Sequence, residues 1–69
     1  MTQTIRLNGE SEPLVAATVY ELLQSKNIGP ENKGVAVALN GTVLPRKRWV
    51  DTRLSAGDTV DIVTAFVGG

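Results

Sequence analysis

A chain of 69 residues has room for one small core; burying only about 60% of its unfolded surface, it must rely on a few well-packed side chains. Seven Lys and Arg balance seven Asp and Glu, so there is no excess of positive charge to hold nucleic acid or an anionic membrane. With neither Cys nor His, the sequence excludes disulfides, Cys or His metal sites, a Cys nucleophile and a Ser-His triad.

Thr4-Ile5-Arg6-Leu7 alternates apolar with polar side chains, the period of a half-buried strand. Asn8-Gly9 then favours the positive φ values of a two-residue hairpin turn. Glu12 to Ala16 is the predicted return strand, with Pro13 placing it at an edge. Thr18 and Glu21 have the spacing of a capping box, in which each side chain accepts a backbone N–H of the other's residue. Val19, Leu22 and Leu23 share one helical face, while Glu21, Gln24 and Ser25 point away. Asn27, Gly29 and Pro30 stop this helix after two to three turns.

Glu31 to Gly34 reads as a polar loop. Val35 to Leu39 is an unbroken apolar run, which predicts a strand buried on both faces. Asn40-Gly41 is a second hairpin signal, Thr42-Val43-Leu44 the return strand and Pro45 its end. Arg46 to Asp51 mixes charge with the only tryptophan, Trp49, and a short helical turn is predicted at Thr52 to Ser55. After a turn at Ser55 to Asp58, Thr59 to Phe66 alternates again. Val60, Ile62, Thr64 and Phe66 share one face; Thr59, Asp61, Val63 and Ala65 share the other. The order β-β-α-β-β-β predicts an α+β fold with one covered sheet face, in a single domain spanning residues 1–69.

No apolar stretch has the length of a membrane span, and MTQTIRLNGE lacks the apolar core of a signal peptide. The expectation is a soluble, cytoplasmic protein without nucleic-acid or membrane partners. Arg46-Lys47-Arg48 is either a docking patch for an acidic surface or a solvated loop, and Lys47 and Arg48 read better as the latter. Trp49 is expected to cover the sheet edge. The turns Asn8-Gly9, Asn40-Gly41 and Gly57-Asp58 need no role beyond their geometry. Asp51, Asp58 and Asp61 share no ligand spacing and read as solvated, so no metal site is expected.

The ending, TAFVGG, allows two readings. One is a frayed end. The other is a slim strand extension that carries the Gly69 carboxylate into a narrow active site, where the lack of Cβ atoms permits close backbone approach. Phe66 and Val67 are apolar rather than solvating, and the glycines follow the strand without a spacer. An ionised carboxylate is a poor electrophile, so chemistry at Gly69 needs activation, most simply as an acyl adenylate made by a partner with ATP.

These stretches resemble the ThiS family, sulfur carriers of thiazole biosynthesis with the β-grasp, or ubiquitin-like, fold. The matching residues are Thr18 to Leu23, Val37 to Gly41, Val43 to Arg46 with Trp49, Leu54 to Val63 and Ala65 to Gly69. The resemblance implies a mixed sheet of four to five strands with one main helix on one face. It implies a ThiF-like adenylyltransferase that uses ATP, a sulfur donor enzyme and a ThiG-like thiazole synthase as partners. Gly69 would become an adenylate and then a thiocarboxylate. Gly68, Val67, Phe66 and the Arg46 region would meet the partners, with the flexible Gly68-Gly69 tail entering their sites. The chain would then be a co-substrate rather than an enzyme, with no bound cofactor. Three rivals stay open: the small subunit of molybdopterin synthase, a ubiquitin-like modifier and a non-covalent β-grasp module.

Overall fold

The computed structural model describes residues 3–29 and 34–64. Strands β1 (Thr4–Leu7), β2 (Glu10–Pro13), β3 (Val35–Leu39), β4 (Thr42–Leu44) and β5 (Thr59–Thr64) form one sheet in the order β2-β1-β5-β3-β4. All neighbours are antiparallel except β1 and β5, which run parallel. The last strand in sequence is therefore the middle strand in space. Helix α1 (Val19–Ser25) and a 3-10 helix, η1 (Arg46–Asp51), complete the described elements. A mixed five-stranded sheet with one main helix is the β-grasp arrangement that the family resemblance implies.

Both hairpins turn on Asn-Gly. Asn8 and Asn40 each have φ 51°, and Gly9 and Gly41 each have φ 85°. Positive φ at both central positions is the mirror-image turn whose twist suits adjoining strands. A two-residue turn also fixes register: Leu7 stands directly opposite Glu10. The return strand therefore starts at Glu10 and ends at Pro13, two to three residues earlier than the predicted Glu12 to Ala16.

Helix α1 starts as its capping residues direct, with one change. Thr18 Oγ1 accepts the Glu21 N–H at 3.2 Å, but Glu21 Oε1 accepts from Ala17 rather than Thr18, at 3.1 Å. The neighbouring backbone is engaged by the strand-like bridge of Thr18 with Arg53. There Val19 N–H donates to Thr52 at 3.0 Å and Leu54 N–H to Ala17 at 3.0 Å. That pairing keeps residues 52–54 extended, so the predicted helical turn at Thr52 to Ser55 does not form. The turn lies earlier, as η1, after Pro45 closes β4. The helix is seven residues long, about two turns. The Lys26 ammonium at its end binds the Glu12 carboxylate at 3.0 Å, which ties α1 to β2.

Val19, Leu22 and Leu23 are buried, as their spacing predicts. They join Ile5 and Leu7 of β1, Val37 of β3, Val60 of β5, Leu54 and Trp49 in one core on the helix side of the sheet. Trp49 is 1% exposed, and its Nε1–H donates to the Leu44 carbonyl at 3.3 Å, so it closes the β4 edge as expected. The prediction that β3 is buried on both faces fails. Only Val37 is fully buried and Ala36 is exposed, because the one helix covers one face and two alanines supply the apolar run on the other. The predicted extension of β5 to Phe66 and the predicted loop from Glu31 fall partly outside the described residues.

Trp49→Ala is expected to destabilise the fold by roughly 3–5 kcal/mol, read from urea unfolding followed by circular dichroism. Thr18→Ala is expected to cost about 1 kcal/mol. A Trp49→Ala loss below about 1 kcal/mol would show that the core does not depend on this side chain.

Candidate functional site

The sequence concentrates its candidate chemistry after β5, so the site is framed by what holds that strand. Toward β3, the register runs from Leu39 opposite Val60 to Val35 opposite Thr64. Toward β1, only Thr59 and Val60 have strand partners, Arg6 and Leu7. Backbone groups of alternate residues point to opposite neighbours, and asparagine side chains extend both ladders. Asn40 Oδ1 accepts the Thr59 N–H at 2.8 Å, and Asn8 Oδ1 accepts the Ile62 N–H at 2.7 Å. The left-handed conformation of each asparagine turns its own carbonyl away, and the side-chain oxygen stands in for it.

The far end of β5 is locked further. Asn40 Nδ2 donates to Asp58 Oδ1 at 3.1 Å, while Asp58 Oδ2 accepts the Ser55 N–H at 2.8 Å. Asn8, Asn40 and Asp58 thus do more than shape turns, and Asp58 is not merely a solvated carboxylate. An Asn-Gly pair announces a turn, but only the fold shows which strand lies within reach of its amide.

Arg46 is the one predicted site residue that lies within the described part of the chain. Its Nη2 donates to the Val35 carbonyl at 3.2 Å, and its guanidinium lies 5.2 Å from the centre of the Trp49 ring. Val35 is opposite Thr64, so Arg46 sits at the end of the sheet from which the chain continues to Gly69. Lys47 and Arg48 are exposed, as predicted, and Arg48 pairs with Asp51 at 3.5 Å. Phe66, Val67, Gly68 and Gly69 lie outside the described residues.

The sheet face away from the helix carries small apolar side chains on β3 and β4 and at the end of β5, with the exposed Asp61 opposite Ala38 among them. Val63 stands opposite Ala36, and Val43 opposite Ala38. Val63 and Val43 are 61% and 72% exposed, so this strip is open. No group of acidic side chains among the described residues could hold a metal ion. No described helix is long and apolar enough to cross a membrane.

Residues 2–69 match the ThiS family. A sulfur carrier protein ThiS from Thermus thermophilus is 41% identical over 63 residues, covering 91% of this chain and 95% of that protein. The chain belongs to the ThiS family. Solved structures agree with the fold. The crystal structure of a thiamine biosynthesis protein (ThiS) from Geobacter metallireducens has a TM-score of 0.76 at 30% identity, covering 96% of this chain and 99% of that one. A solution structure of a thiamine biosynthesis protein from the same organism gives 0.71 at 32% identity, covering 96% and 86%. ThiS membership supports the β-grasp reading along nearly the whole sequence.

Arg46→Met keeps much of the side-chain stem over Trp49 but removes the charge and the bond to Val35. The expected loss is about 1–2 kcal/mol, measured by chemical denaturation. An unchanged midpoint and slope would show that the guanidinium adds nothing to the fold.

Proposed function

We propose that this chain is a sulfur carrier protein of thiamine biosynthesis that holds sulfur as a thiocarboxylate on Gly69. Its place in the ThiS family, with the sulfur carrier from Thermus thermophilus matching over most of both chains, carries this reading. The composition adds an independent constraint. Without Cys, the chain cannot carry sulfur as a side-chain persulfide, which leaves the terminal carboxylate as the place to hold it.

The chemistry runs in two displacements. A Gly69 carboxylate oxygen attacks the α-phosphorus of ATP in a ThiF-like adenylyltransferase, and pyrophosphate leaves. Sulfur at the oxidation level of sulfide, supplied by a donor enzyme, then attacks the acyl carbon, and AMP leaves. The thiocarboxylate passes its sulfur to a ThiG-like thiazole synthase. This chain supplies the reacting terminus and is itself no catalyst. Gly68 keeps the approach slim, and Val67 and Phe66 guide it. The open strip around Val63 and Val43, together with the Arg46 end of the sheet, forms the surface that partners grip.

Intact-protein mass spectrometry after incubation with a ThiF-like enzyme, ATP and sulfide should show one oxygen replaced by sulfur at the C-terminus. Deleting Gly68-Gly69 should abolish the change. Absence of any sulfur gain with an adenylyltransferase active on other carriers would overturn the proposal. Adding a thiazole synthase and its small-molecule substrates should consume the thiocarboxylate; consumption only by the large subunit of molybdopterin synthase would reassign the pathway.

A further inference from the structure

The strand that leads to the proposed thiocarboxylate is held unevenly. On the β3 side, pairing continues to Thr64. On the β1 side, backbone pairing stops at Leu7 with Val60, because β1 turns back through Asn8-Gly9. Asn8 N–H still donates to the Val60 carbonyl at 2.9 Å. The next group of β5 that points this way is the Ile62 N–H. A parallel ladder would offer it the Asn8 carbonyl, but φ 51° turns that group aside. The Asn8 amide oxygen accepts it instead, at 2.7 Å.

We infer that Asn8 is a positioning residue for the C-terminal segment: its side chain, bonded to Ile62, holds the root of that segment on the side β1 no longer reaches. The inference rests on the reading that Gly69 enters a partner's active site. Seven residues, Val63 to Gly69, follow the clamp. Val63 and Thr64 are still paired to β3 on the other side, and the five residues after them reach about 17 Å fully extended, so the clamp decides whether the root of that reach is held on both sides or on one. Each residue loosened at the root must be ordered again when the segment docks, which weakens binding without changing the bound chemistry.

The opposite hairpin provides a matched control. Asn40 has the same φ and makes the same kind of bond to β5, but at Thr59, where the strand begins. A purely structural role predicts that the two asparagines behave alike. Glycine suits the left-handed conformation, so Asn8→Gly and Asn40→Gly remove each acceptor while keeping each turn. Asn8→Asp keeps an oxygen for Ile62.

Amide hydrogen exchange and steady-state adenylylation by a ThiF-like enzyme test this on the full chain. Asn8→Gly should speed Ile62 amide exchange roughly 3- to 10-fold and raise the KM for the carrier by a similar factor, with kcat unchanged. Asn8→Asp should restore both. Asn40→Gly should leave KM and the Ile62 amide near their original values, even where it lowers thermal stability. Equal KM effects from Asn8→Gly and Asn40→Gly, or an unaltered Ile62 amide in Asn8→Gly, would overturn the inference. If the unaltered chain is not adenylylated at all, the functional reading fails, whereas the Ile62 amide still reports on the clamp itself.

Discussion

A central strand needs hydrogen-bond partners on both sides, and in this fold the neighbours of β5 both turn at asparagine. Two-residue turns bring Asn8 and Asn40 into the left-handed conformation, and each carbonyl swings out of the ladder. The side-chain oxygens replace them at Ile62 and Thr59. This substitution lets two short hairpins flank a six-residue strand without longer loops. It also fixes the register that puts Val60 in the core and Val63 on the open face. Asparagine meets both demands, since its short polar side chain tolerates the left-handed region and carries an acceptor.

The helix side of the sheet depends on coupling more than on size. Seven helical residues are too few to persist alone. Here α1 is fixed at its start by the Thr18 hydroxyl and by the paired backbone of residues 52–54, and at its end by Lys26 on Glu12. Trp49 joins the same core and bonds to Leu44, so η1, β4 and the helix are packed together. The Arg46 guanidinium lies over that ring and reaches the first residue of β3. A cation at the surface is thereby built on the largest buried side chain of the core, which gives it a defined place beside the end of β5.

Much of this was legible in the sequence. Alternation, Asn-Gly pairs and the Thr18 to Glu21 spacing located the hairpins and the helix start, because each is a local rule. The errors arose where distant segments decide. Val35 to Leu39 is apolar throughout, yet Ala36 faces out, since periodicity cannot tell a small exposed alanine from a buried one. Residues 52–54 are extended because they pair with the helix start, a contact more than thirty residues away in sequence. The same limit hid the second role of Asn8, whose partner Ile62 lies 54 positions along the chain. Arg46 could be named from the sequence, but its anchoring by Val35 and Trp49 required the fold.

Composition and architecture then divide the work. A chain with no Cys or His leaves its side chains little covalent chemistry, and its balanced charge gives no broad field with which to attract a partner. Recognition under the proposed function must be short-ranged, through the exposed face of Val63, Ala36, Ala38, Val43 and Asp61 and through the fixed Arg46. The terminus brings the same glycines to each partner, so it offers little by which one enzyme can be told from another. Under the proposed function, discrimination between pathways that share this chemistry has to lie before the two glycines, on the folded surface or at Phe66 and Val67. On that argument, exchanging Val43 and Val63 for the residues of a related carrier should slow thiocarboxylate consumption by the thiazole synthase, read by intact-protein mass spectrometry, because the two shared glycines carry no information that distinguishes one partner from another.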